Sequence, residues 1–133
     1  MSEQDTPPQV RKAIALLWMT QLLGAVDMVL TLMDPDPELA GDIGFFIVLS
    51  VIVLFALYAT FITFAAKRKN WARITLLVLA IVTTTAYVLM PSEPQDPWWT
   101  AAISWLTAIL EIVAMFWLFT GAGARWYASK AAE

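Results

Sequence analysis

Neither cysteine nor histidine occurs anywhere in this chain of 133 residues. Their absence excludes disulfides, thiolate nucleophiles, histidine-ligated haem and the usual zinc ligand sets. The redox state of the compartment therefore leaves no mark on the sequence. Asparagine occurs once, at Asn70, and Trp71 and Ala72 follow it, so no N-glycosylation acceptor exists. The seven prolines avoid the long apolar stretches. Pro7 and Pro8 lie in the N-terminal tail, while Pro35, Pro37, Pro91, Pro94 and Pro97 lie in two short connections, where a missing N–H costs little. Charged residues make up only 14% of the chain, and no Ser/His/Asp set or metal-ligand spacing is present. That composition argues against an enzyme and calls for no cofactor.

Apolar sequence is what the chain has in abundance, with 60% hydrophobic residues and a mean hydropathy of +0.70. It gathers into four stretches, 12–33, 43–66, 71–90 and 98–120. Each is close to the ~20 residues that bilayer hydrocarbon demands. The expected fold is all-α: four transmembrane helices in an up-down-up-down bundle over 12–120, with a polar tail over 1–11 and a short cytoplasmic or interfacial tail over 121–133. The connection Lys67-Arg68-Lys69-Asn70 is just long enough for a tight helical hairpin. The first stretch is too long for a signal-peptide core and lacks a small-x-small exit, so it is expected to be retained.

All eight basic residues fall on one side of these stretches. Arg11 and Lys12 precede the first, Lys67, Arg68, Lys69 and Arg73 sit between the second and third, and Arg125 and Lys130 follow the fourth. By the positive-inside rule both termini are cytoplasmic, and a bacterial inner membrane is the natural home. The nominal charge of -3 then reflects topology and gives no sign of nucleic-acid binding. The opposite connections carry Asp34, Asp36, Glu38 and Asp42, then Glu93 and Asp96. Such an acidic face could collect Ca²⁺ or a basic partner, but it lacks the Gly turn and ligand periodicity of an EF-hand, and solvated acids beside a membrane are ordinary.

Two acids, Asp27 and Glu111, lie inside the apolar belt. Ionisable groups at that depth are expensive and normally face protein or water. Glu111 belongs to a stripe of Ala101, Ser104, Ala108, Glu111 and Met115, with Thr107 one turn before it, while Leu106, Ile109, Leu110, Ile112 and Val113 occupy the other faces. Asp27 belongs to a stripe of Thr20, Gly24, Asp27 and Thr31 flanked by Gln21 and Met28. Depth counting at ~1.5 Å per residue sets Gln21 level with Glu111 and nominates it as the hydrogen-bond partner, with Thr83, Thr84 and Thr85 near the same level. Two readings stay open for Glu111: interhelical glue, or a proton or cation relay. A contact with another membrane protein is a third. Ala56, Thr60 and Thr63 form a small-residue surface that either packs inside the bundle or meets a partner.

The turn Lys69-Asn70-Trp71-Ala72-Arg73, together with the run from Phe119 to Arg125-Trp126-Tyr127, resembles a widespread group of small bacterial four-span inner-membrane proteins. That resemblance implies a fold and a location, and no activity. The segment Ala108-Ile109-Leu110-Glu111-Ile112-Val113 is similar to the membrane-embedded Glu segment of small multidrug-resistance transporters, four-span dimers that exchange protons for cationic drugs. In that family the acid lies on the first span, whereas here it lies on the fourth.

Two functions follow as expectations. The first is a small interaction protein, either an accessory subunit or an immunity protein against a membrane-inserting toxin, acting through helix contacts and its outer loops. The second is a homo-oligomeric proton- or cation-coupled transporter or channel using Glu111. The partners expected are the lipid bilayer and either another membrane protein or a second copy of the chain.

Overall fold

The computed structural model describes residues 6–33, 41–90 and 97–131. Asp34, Asp36, Glu38, Glu93 and Asp96 lie outside the described residues. Four long helices are present: α1 (Pro8–Met33), α2 (Gly41–Ala66), α3 (Asn70–Leu89) and α4 (Trp98–Phe119). A short α5 (Gly121–Ala131) follows, and no strand occurs among the described residues. The four long helices are each apolar and long enough to cross a membrane. The chain is an all-α integral membrane protein.

Local chemistry sets the helix boundaries. Pro8 opens α1, where a missing N–H is harmless, and the Pro7 carbonyl accepts from the Arg11 amide. Between α2 and α3 the chain reverses within three residues. The Lys69 amide donates to the Phe64 carbonyl and the Arg68 amide to that of Ala65, a Schellman closure with Arg68 in the left-handed position at φ 68°. Arginine rather than glycine at that position costs about 1 kcal/mol of backbone strain. Its side chain supplies the compensation: the Arg68 Nε donates to the Trp126 carbonyl at 2.6 Å and a terminal nitrogen bonds Ser129 Oγ.

The helices form a ring in which α1 touches α4 most extensively, and α2 bridges α1 and α3. Alanines make close approach possible, with Ala13, Ala65, Ala72 and Ala114 fully buried beside Leu17, Ile62, Leu76 and Leu118. In lipid, where transfer to another apolar surface gains little, such contacts between small residues supply the dispersion energy that joins helices.

This core occupies only the end of the bundle that bears the termini. Apart from Gly44, no described residue in 21–33, 41–61, 81–90 or 97–107 is buried. The terminal end is locked further by α5. Tyr127 donates its hydroxyl to the Ala65 carbonyl at 2.6 Å. Arg73 donates to the Leu118 carbonyl and lies 4.2 Å from the Phe119 ring centroid and 4.4 Å from that of Tyr127. Gln9 reaches the Trp117 and Thr120 carbonyls at 2.7 and 2.8 Å, capping the exposed end of α4. Burial pushes the Tyr127 phenol up to about 12 while the Arg73 charge pulls the other way, so it remains a neutral donor at physiological pH. Gly121–Ala131 therefore forms a helix seated on the bundle.

Candidate functional site

Glu111 projects from α4 into the centre of the bundle and is 4% exposed. Its Oε1 accepts a hydrogen bond from the Tyr58 hydroxyl of α2 at 3.1 Å. Since α2 and α4 are not neighbours in the ring, this bond runs across its diagonal. The expected partner, Gln21, is not the one used. The Glu111 Oε2 has no hydrogen-bond partner among the described residues.

Side chains from all four long helices, Glu111 among them, line a cavity of about 340 Å³. Helix α1 contributes Thr20, Gln21 and Gly24; α2 contributes Phe55, Tyr58 and Phe61; α3 contributes Thr83 and Tyr87; α4 contributes Thr107 and Glu111. The cavity lies where burial ends: Thr20, Ala80 and Ala108 are the last buried residues of α1, α3 and α4 before the loosely packed half. Gly24 shapes one wall. A Cβ at that position would come within 2.8 Å of the Phe55 ring, so glycine lets this ring lie against α1.

A second pairing lies on the same α4 face, seven residues toward the far end. Tyr87 of α3 pairs with Ser104, and its hydroxyl lies within electrostatic reach of both Glu111 and Asp27. Asp27 is half-buried, and its Oδ1 has no hydrogen-bond partner among the described residues. Tyr87 thus interacts electrostatically with both intramembrane acids. The Thr20 hydroxyl bonds its own helix at the Leu17 carbonyl, and that of Thr83 the Leu79 carbonyl, so neither is engaged with the acid.

The structure brings Glu111, Gln21 and Thr107 into one cavity, leaves Ser104 and Asp27 out of its lining although both interact with Tyr87, which lines it, and places Thr84 elsewhere. Thr84 lines a shallow groove between α3 and α4 with Ile81, Ile112 and Met115, while Thr83 takes the cavity wall. Asp42 is exposed in the first turn of α2. Ala56, Thr60 and Thr63 are also exposed, the two hydroxyls bonded back to the carbonyls of Ala56 and Ala59. They form no internal seam.

Sequence reasoning missed Tyr58 and Tyr87. The signal was present, because a tyrosine well inside an apolar span needs a partner for its hydroxyl. Among the described residues no group of three or more acids forms a metal site. With one central carboxyl, two phenols and no cation lining the cavity, the site is equipped to hold a proton or a hydrogen-bond donor. The fold and this site define a four-span integral membrane protein with a largely apolar central cavity that carries one carboxyl. The chain matches no protein-family model, no curated protein and no solved structure.

Proposed function

We propose that this protein is a small proton-coupled membrane transporter or channel, working alone or as a homo-oligomer, in which Glu111 carries the proton. One observation supports this reading above the rest: a 4%-exposed carboxyl, one oxygen of which has no hydrogen-bond partner among the described residues, stands in the wall of a cavity built by all four spans. A purely structural acid would be expected to use both oxygens in interhelical bonds. Here one oxygen is held by Tyr58 and the other is left for a proton or ligand. In proteoliposomes with an entrapped pH dye, an external acid pulse is expected to acidify the lumen faster with wild type than with Glu111→Gln. Equal rates at equal incorporation contradict the proposal.

The exposed small-residue surface favours a second reading. Ala56, Thr60 and Thr63 offer α2 to another membrane protein, as an accessory subunit or a toxin-immunity protein would. On that reading Ala56→Leu and Thr60→Leu abolish partner co-purification and leave proton uptake unchanged. Retained co-purification opposes it.

The proposed location is a bacterial inner membrane with both termini in the cytoplasm, supported by the one-sided distribution of Lys and Arg. A single Cys at Asp42 is expected to react with an impermeant thiol reagent in intact cells, and one at Lys69 is not. Both positions are exposed, unlike Arg68, which α5 buries. The reverse labelling pattern inverts the topology.

A further inference from the structure

The central cavity opens sideways as well as inward. Two more of its wall residues, Leu54 and Leu57, are 62% and 48% exposed, midway along α2. The direction of this opening follows from helix geometry. Phe55 meets Gly24 of α1, while Phe61 lies 6.1 Å from the Trp71 ring of α3. At 100° per residue Leu54 and Leu57 fall on the Phe61 side, so the mouth lies between α2 and α3. Leu79 and Thr83 form its opposite lip. An opening at mid-span gives onto hydrocarbon, which makes lipid the medium from which a ligand arrives.

Polarity changes along this passage. The lip is mainly aliphatic, with Leu54, Leu57 and Leu79 beside Thr83, whereas Glu111, Tyr58 and Thr107 give the rest of the wall its polar groups. No Lys or Arg lines it, so a carboxylate or phosphate head would enter without a counter-charge and next to an acid. A head that donates an N–H or O–H bond instead suits a wall whose one carboxyl, that of Glu111, is an acceptor. We propose that this cavity takes a bilayer-dissolved, single-chain amphiphile that enters between α2 and α3 and seats a donor head group, an amine or a hydroxyl, on Glu111.

This inference rests on the reading of Glu111 as a working acid, and its test is separate from proton uptake. Three long-chain probes with the same mid-chain diazirine, differing only in an amine, alcohol or carboxylic acid head, would be photolysed with the reconstituted protein. The amine or the alcohol is expected to label the segments around Leu54–Leu57 and Leu79–Thr83, and which of them does identifies the head group. Labelling should fall about tenfold in Glu111→Gln if a charge-assisted bond is lost. Leu57→Trp, at a lipid-facing position where folding is little affected, should block the mouth and reduce labelling as well, while Thr60→Leu, outside the cavity, should not. Labelling by neither donor probe, equal labelling by the acid probe, or labelling indifferent to both Glu111→Gln and Leu57→Trp overturns the inference. Failure here with Glu111-dependent proton uptake intact removes the ligand class alone. Loss of that uptake with probe labelling retained removes the transport reading alone.

Discussion

Glu111→Lys is expected to leave little folded protein in the membrane, whereas Glu111→Gln accumulates and purifies like wild type. A lysine at the centre of a span costs ~2.5–3.5 kcal/mol on insertion scales. The local geometry leaves it no relief, because position 111 is 4% exposed and its cavity offers no carboxylate counter-ion once Glu111 itself is gone. Glutamine keeps an acceptor for the Tyr58 hydroxyl at similar volume. Membrane yield and size-exclusion profile in mild detergent check the pair. A monodisperse Glu111→Lys protein at wild-type yield would show that the cavity is wet enough to carry a buried ammonium.

Gly123→Ala carries the other large effect. A Cβ there would stand 2.2 Å from the Trp117 carbonyl oxygen and 3.0 Å from that of Leu118, both backbone atoms that cannot swing aside. Relief requires α5 to leave its seat. That movement breaks the Tyr127 bond to Ala65 and the Arg68 bonds to Trp126 and Ser129. At ~1 kcal/mol for each of these three bonds, a loss of about 3 kcal/mol is expected. Arg125 is exposed but lies within α5, so release should also speed tryptic cleavage there. Tyr127→Phe deletes one bond only and should cost roughly 1 kcal/mol. Unchanged thermal stability and proteolysis in Gly123→Ala would mean that α5 does not strap the terminal end.

The spans were legible in the sequence because bilayer thickness fixes how many apolar residues a helix needs, and the hairpin at Lys67–Asn70 because only a tight turn fits four residues. The seat of α5 was not. The sequence shows only a short cytoplasmic or interfacial tail there, and nothing in the spacing of Gly121 and Gly123 says that the chain folds back so closely that Gly123 has no room for a Cβ. Trp126 and Tyr127 read as interfacial aromatics. Their burial depends on Arg68 and Arg73, which lie 58 and 53 residues earlier than Trp126 and were legible only as topology charges.

The same limit explains the partner of Glu111. Counting along the helices gives depth, and depth nominated Gln21 on the helix that packs beside α4. Azimuth is what selected Tyr58, and azimuth across the bundle is set by how four helices rotate about their axes, a collective result of the Ala-rich seams. Gln21 does line the cavity, so depth was informative without being sufficient. Thr83 and Thr84 show the angular point at its smallest. One residue apart, they face different clefts.

Glu111, though buried, lines a cavity and stands outside the packed hydrophobic core. Because the chain has no cysteine, single cysteines report on their own surroundings without background. Cysteine at Glu111 and at Thr107, both lining the cavity, is expected to react with N-ethylmaleimide in purified, folded protein. Cysteine at Ala114, fully buried less than a turn away on the same helix, is not. Reaction at 111 and 107 with silence at 114 is the result predicted; a cysteine at 111 as inert as the one at 114 would contradict it.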